Sequence, residues 1–134
     1  MDTKTNVIRA LADETRLRII NLFIKSRQIL CVCELVDTLK IPQYAVSKAL
    51  TIIKNAGLLT AEKKGTWVNY ELNKSIEQNK ILFNFLKNYL SDEIFLEDEL
   101  RLKNRLLLRE DNRCVVGIVP ERELVKMIKR KAEA

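Results

Sequence analysis

Two stretches of helical periodicity are separated only by Lys40-Ile41-Pro42, and so short a break leaves the chain few arrangements. The first stretch covers roughly Cys31 to Leu39. The second runs from Gln43 to about Asn55, with Val46, Leu50 and Ile53 at helical spacing on one face. Pro42 cannot extend the first helix and suits the N1 position of the second. A connection of this size fits two helices that cross steeply.

The flanking sequence supplies the surroundings of this pair. Val7, Ile8 and Leu11 fall at helical spacing. Asp13 reads as an N-cap with Glu14 in the first turn, and Leu17, Ile20 and Ile24 continue as an apolar stripe. Gly57 is a natural stop for the Gln43–Asn55 helix. Leu58–Glu62 and Thr66–Leu72 then read as strands, joined by Lys63-Lys64-Gly65 with Gly65 free to take a positive φ. Ile81, Phe85, Leu86, Tyr89 and Leu90 return to helical spacing. Ser91 reads as the N-cap of a helix reaching Leu108, Asp111-Asn112 as a turn, 115–119 as a short extended run, and Pro120 as the opening of a last helix. With 3 Gly and 2 Pro in 134 residues, a many-turned β-sandwich or barrel is excluded. The reading is a mainly α chain with one β-hairpin: a winged helix-turn-helix with extra C-terminal helices.

In such a fold the second helix of the pair lies in the major groove of DNA. Its apolar side faces the core, which leaves Gln43, Tyr44, Ser47, Lys48 and Thr51 for the groove. Glutamine can pair bidentately with adenine, hydroxyls serve bases or phosphates, and lysine neutralises phosphate. Lys63 and Lys64 place two cations at the hairpin tip, where they could contact phosphates or a minor groove. Trp67 and Tyr70 read as packing residues. A net charge of +6 and a pI near 9.3 suit a polyanionic partner. Taken singly, each of these α4 residues reads as a solvated or phosphate-contacting residue sooner than as a base reader, and a Lys-Lys-Gly turn reads as solvated surface.

Ala10-Leu11-Ala12-Asp13-Glu14-Thr15-Arg16-Leu17-Arg18-Ile19-Ile20 resembles the opening helices of the ArsR/SmtB family of metal-sensing repressors. Leu30-Cys31-Val32-Cys33-Glu34-Leu35 resembles that family's metal-binding box. Ala45–Leu50 and Asn55-Ala56-Gly57-Leu58-Leu59 resemble its recognition helix and exit, and Gly65–Leu72 its wing. The resemblance covers residues 7 to 72. It implies a homodimeric repressor on a pseudo-palindromic operator in double-stranded DNA, released when a metal or metalloid binds. Asn6–Leu11 and Ile81–Leu90 would form the dimer interface; the alternative is that these stripes belong to a monomer's own core. The expected organisation is residues 1–90 as the DNA-binding and dimerisation domain, with residues 91–134 as a helical extension packed on it.

Cysteine chemistry narrows the signal. The chain holds Cys31, Cys33 and Cys114 and no histidine, which removes His-containing triads and zinc sites. Cys31 and Cys33 form a soft-ligand pair. At about 100° per residue, positions i and i+2 point to nearly opposite sides of a helix, so one ion held by both would unwind that turn and misplace the reading helix. The family's zinc site on the helix after the wing needs histidines and cannot be carried over. Its cadmium and lead sensors add N-terminal cysteines, and residues 1–30 contain none. Trivalent arsenic or antimony wants three thiolates. The commonest arsenic box of the family has a third cysteine where Val36 stands here, which leaves Cys114, from either protomer, to complete the set. Arg113-Cys114-Val115-Val116-Gly117-Ile118 resembles a C-terminal stretch of some arsenic-responsive members. No resident cofactor is required; arsenite or antimonite is the expected inducer.

Other readings remain open at this stage. Cys31 or Cys33 could pair with Cys114 in a thiol–disulfide switch, the chain could sense cadmium or lead, or Cys114 could be structural. A thiol-dependent arsenate reductase would need an anion-cradling loop, and no Gly-rich loop adjoins any cysteine. The odd cysteine count, the start Met1–Asn6 without a signal peptide's apolar run, and the lack of any membrane-length apolar stretch suggest a protein of the reducing cytoplasm.

Overall fold

Asp13 makes the first corner of the structure. Its carboxylate accepts the Arg16 N–H at 3.0 Å, so it caps α2 (Glu14–Ser26) just after α1 (Thr3–Leu11) has ended. The computed structural model describes residues 3–134; Met1 and Asp2, the first residues of the stretch read above for a signal peptide, lie outside them. Chain order continues with β1 (Leu30–Cys31), α3 (Val32–Leu39), α4 (Gln43–Asn55), β2 (Leu59–Lys64), β3 (Trp67–Leu72), α5 (Glu77–Tyr89), α6 (Glu93–Arg105), a 3-10 turn (Leu106–Leu108) and α7 (Glu121–Glu133). Among the described residues, no helix is long and apolar enough to cross a membrane.

The main core is built on α2. Ile19, Ile20, Leu22 and Phe23 are fully buried and pack with Leu35 and Leu39 of α3, Val46, Leu50 and Ile53 of α4, and Leu58 and Leu59. Lys40 takes the left-handed conformation (φ 58°), and its N–H reaches Val36 O at 2.9 Å to close α3. The chain then reverses into α4 within three residues. Pro42 sits at the N-cap of α4, one place before the expected N1 position. Gly57, at φ +85°, turns the chain out of α4; Asn73 and the buried Asn79 donate to its carbonyl at 3.0 and 2.9 Å. That carbonyl therefore ties the base of the wing to the start of α5.

The wing is a hairpin of β2 and β3 with Gly65 at φ +62° in its turn. The sheet has a third strand that the sequence did not announce. β1 pairs antiparallel with β3, Leu30 opposite Tyr70 and Cys31 opposite Asn69, giving the order β1-β3-β2. Two residues carry no readable alternation, and their partner lies some forty positions away. The cysteine box thus begins on the same sheet as the wing.

The C-terminal helices fasten to α2 and α3. Asp92, not Ser91, is the N-cap residue of α6, and the helix tightens into the 3-10 turn before Leu108. Asp98 is fully buried and receives Arg18 of α2 through two bonds of 2.8 and 2.9 Å, and Arg101 at 2.6 Å. Arg101 also donates to Thr38 O at 2.9 Å, near the end of α3. After the left-handed pair Asp111 and Asn112 the chain returns along α3. α7 then covers a second small apolar cluster of Leu108, Val119 and Leu124.

One buried ion pair holds this return in place. Arg105 Nε donates to Asp37 Oδ2 at 2.8 Å, and each side chain is 1% exposed. Arg105 also donates to Val116 O at 2.9 Å, while Val119 N–H donates to Asp37 Oδ1 at 3.1 Å. Removing one member leaves the other charge buried without its partner, which costs about 3–5 kcal/mol. Arg105→Met should lower unfolding stability in urea by that amount, and adding Asp37→Leu should recover part of it. A loss within about 0.5 kcal/mol, as for an ordinary surface change, would rule the pair out as a fastening.

Candidate metal centre and nucleic-acid interface

Cys31 is extended, at φ −100° and ψ 165°, and stands at the N-cap of α3. Its backbone N–H donates to Glu34 Oε1 at 3.2 Å, so the residue three places on braces it from inside the helix. Cys33 lies in the first turn of α3. Cys31 Sγ and Cys33 Sγ are 2.7 Å apart, and Cys114 Sγ lies 3.1 Å from each. All three are free thiols. Cys31 and Cys33 are buried, 1% and 5% exposed, while Cys114 is half-buried.

This geometry corrects one expectation. The i and i+2 thiols meet without any unwinding of α3, because Cys31 is not a helical residue. An extended residue before a helix directs its side chain away from the 3.6-residue repeat, so the opposition of i and i+2 does not apply.

The surroundings polarise the cluster. Cys114 accepts from Cys31 and Cys33, and the Arg105 guanidinium adds attraction, so its thiol is pulled down to about 3. Donation to Cys114, reinforced by burial, pushes Cys33 up to about 12 and Cys31 up as well. Cys114 is thus the most acidic of the three thiols. Arg109 stands beside it, paired with Glu34 through bonds of 2.7 and 2.9 Å. Arg109 also donates to Ile29 O at 2.6 Å, just before β1.

Arg105 and Arg109 flank the candidate site, and sequence reading missed both. A signal was present: Glu34 and Asp37 are three apart on α3, and Arg105 and Arg109 are four apart, at the end of α6 and just after the 3-10 turn. Those are one-turn spacings of opposite charge. Among the described residues, Cys31, Cys33 and Cys114 are the only group of metal-ligating side chains close enough to share an ion. With Glu34 committed to Arg109 and the Cys31 N–H, the donor set is three soft sulfurs.

The residues expected to read DNA fall as follows. Val46, Ala49, Leu50 and Ile53 face the core, and Gln43, Tyr44, Lys48 and Thr51 are exposed on the other side of α4, with Ser47 half-buried beside them. Tyr44 is 78% exposed. The Thr51 hydroxyl donates to Ser47 O at 3.0 Å, which leaves its lone pairs for an outside donor. Lys63 and Lys64 end β2 in the exposed wing. Lys64 sits opposite Trp67 and 3.7 Å from Glu62, an exposed pair of little weight. Trp67 and Tyr70 are half-buried, and the Trp67 ring lies against Gly117, where an added Cβ would sit 3.5 Å from it.

A separate apolar face remains uncovered. Ile8 of α1 and Ile81, Phe85 and Tyr89 of α5 are all more than half exposed, with Phe85 and Tyr89 stacked at 4.8 Å. These fall within the stretches expected to meet a second chain.

Known proteins agree with this architecture. Residues 13–61 match the model of the family described as bacterial regulatory protein, arsR family. The chain is 35% identical over 109 residues to the arsenic resistance transcriptional regulator ArsR2 of Pseudomonas putida, covering 78% of this chain and 90% of that protein. It is 40% identical over 70 residues to the arsenical resistance operon repressor of Escherichia coli, covering 52% of this chain and 59% of that protein. Among solved structures it superposes with a TM-score of 0.57 and 25% identity on a homodimeric winged helix-turn-helix DNA-binding domain from Mycobacterium bovis, a possible ArsR-family regulator, covering 66% of this chain and 79% of that one. With the helix pair, the wing and the cysteine box all in place, the chain belongs to the ArsR family of DNA-binding winged helix-turn-helix transcriptional regulators.

Proposed function

We propose that this chain is a homodimeric repressor that leaves its operator when trivalent arsenic or antimony binds Cys31, Cys33 and Cys114 of one chain. The observation that carries the reading is the triangle of sulfurs, with edges of 2.7, 3.1 and 3.1 Å. Three thiolates neutralise a trivalent pyramidal centre. A structural zinc site asks for four ligands in a tetrahedron, and the chain has no histidine and no other cysteine to supply the fourth. The contacts among the three sulfurs lie within one chain, which supports a same-chain site. The reducing cytoplasm is the compartment in which such thiols stay available.

On DNA, the exposed face of α4 enters the major groove and the wing lysines meet the backbone. The uncovered face of α1 and α5 joins two chains, so that two α4 helices address a pseudo-palindromic duplex. The link between inducer and DNA runs through shared elements. Residues 114–119 touch α3 through Asp37 and the wing through Trp67, and Cys31 is paired with β3. A metalloid that binds all three sulfurs draws these elements together, so metalloid and DNA oppose each other by linkage.

Two outcomes are expected. Affinity for a specific duplex should fall steeply with salt, as released counterions require. Lys48→Ala should weaken binding to all sequences, while Gln43→Ala should relax specificity by about 1–3 kcal/mol. Titrations that give equal affinity for operator and random duplex would end the repressor reading.

Arsenite should release the duplex at concentrations where zinc does not. Cys31→Ser and Cys33→Ser should keep DNA binding and lose that response. Cys114→Ser should weaken arsenite binding and lower the sulfur coordination seen by X-ray absorption from three to two. Heterodimers of Cys31→Ser/Cys33→Ser chains with Cys114→Ser chains should not regain a three-sulfur site. Recovery there would place Cys114 across the dimer, and unchanged binding by Cys114→Ser would make it structural.

A further inference from the structure

A cavity of about 650 Å³ opens between the end of α2, the wing and the segment leading to Cys114. Its size is that of an ordinary small-molecule site. Arg27, Lys64 and Arg113 line it together with Trp67, Asn69 and Cys114, and no acidic residue does. The Arg27 and Arg113 side chains have no ion pair or hydrogen bond within the described residues. Arg27 adopts φ 57°, at a C-cap position where glycine is the easier residue. Cys114 is the one cysteine that reaches this cavity; Cys31 and Cys33 lie buried behind it. A metalloid that enters here therefore meets Cys114 first, beneath two arginines without an ion pair and Lys64, whose exposed contact with Glu62 spans 3.7 Å.

Free arsenite is neutral and gives such a basic wall nothing to hold. In a thiol-rich solution, however, trivalent arsenic exists as an adduct with small thiols, and the abundant ones carry carboxylates. We propose that this cavity docks the metalloid as its adduct with an anionic, carboxylate-bearing thiol of low molecular weight, and passes it to the three cysteines. The proposal rests on the three-cysteine reading above and adds the form in which the inducer arrives.

Transfer is stepwise ligand exchange. Cys114 sulfur bonds to arsenic as one small thiol leaves, and Cys33 and Cys31 then displace the other two from 3.1 Å away. Each exchange forms one arsenic–sulfur bond and breaks one: Cys33 and Cys31 give their protons to the thiols they displace, and the thiol displaced by Cys114 leaves as a thiolate that takes its proton from water. Arsenic stays trivalent, and neither oxidant nor reductant is consumed. Arg27 and Arg113 hold carboxylates, Lys64 adds charge from the wing, and the Asn69 amide offers a donor beside the Trp67 face.

The test is a stopped-flow comparison on the full, reduced chain. Arsenite is premixed with excess glutathione or with glutathione diethyl ester, whose carboxylates are masked, and transfer is read from the arsenic–thiolate absorption. The glutathione adduct should transfer roughly tenfold or more faster at low salt, the scale of electrostatic steering, and this advantage should shrink as salt rises. Arg27→Gln/Arg113→Gln should remove the advantage while the final amount of bound arsenic stays unchanged. Equal rates for the two adducts in the parent would overturn the docking proposal, as would a variant that keeps the difference. Loss of duplex affinity in that variant with the adduct preference intact would assign the arginines to DNA phosphate and also overturn it. Absence of the absorption with either adduct would instead remove the three-cysteine reading and this proposal with it.

Discussion

Arg105 and Asp37 are shut away from water on both sides of their 2.8 Å contact, and the segment that returns along α3 is fastened to them. Neither charge could be buried alone, so the pair forces α6 and α3 to meet at one register. Arg105 Nη2 donates to the Val116 and Gly117 carbonyls, and Asp37 receives the Val119 N–H. These bonds lay the returning segment along α3. Cys114 arrives beside Cys31 and Cys33 because two charges, far apart in sequence, have no other place to go.

The second consequence concerns economy of parts. α3 is the first helix of the helix-turn-helix pair and also carries Cys33. β1 carries Cys31 and is hydrogen-bonded to the wing. The segment after Cys114 touches both α3 and the Trp67 ring. In the proposed reading, sensor and reader are therefore not two sites joined by a relay; they share backbone. The Glu34–Arg109 pair strengthens the overlap, since Glu34 holds the Cys31 N–H while Arg109 holds the carbonyl of Ile29.

Much of this was legible from residue order. The three-residue break before Pro42, the stripe of Val46, Leu50 and Ile53, and the positive-φ glycines at 57 and 65 each have a local cause. They describe helix, reversal, helix and hairpin before any tertiary contact is known. The Asp13 cap and the left-handed turn at Asp111-Asn112 are local in the same way. Their physics lies within about one turn of chain, where propensity and capping act. The exposed side of α4 follows from its buried side, because one helix cannot bury both.

What only the tertiary structure decided is whatever depends on contacts between distant residues. β1 is two residues long and exists because β3 offers it partners. The conformation of Cys31 follows from that pairing, and with it the meeting of two thiols that helical spacing would have held apart. The third thiol is brought in from eighty positions away by a buried ion pair whose members look, in the sequence, like ordinary charges on two helices. Local sequence determined that this chain is a winged helix-turn-helix with a soft-ligand box. Long-range burial, which no short window of sequence records, decided that three sulfurs share one point.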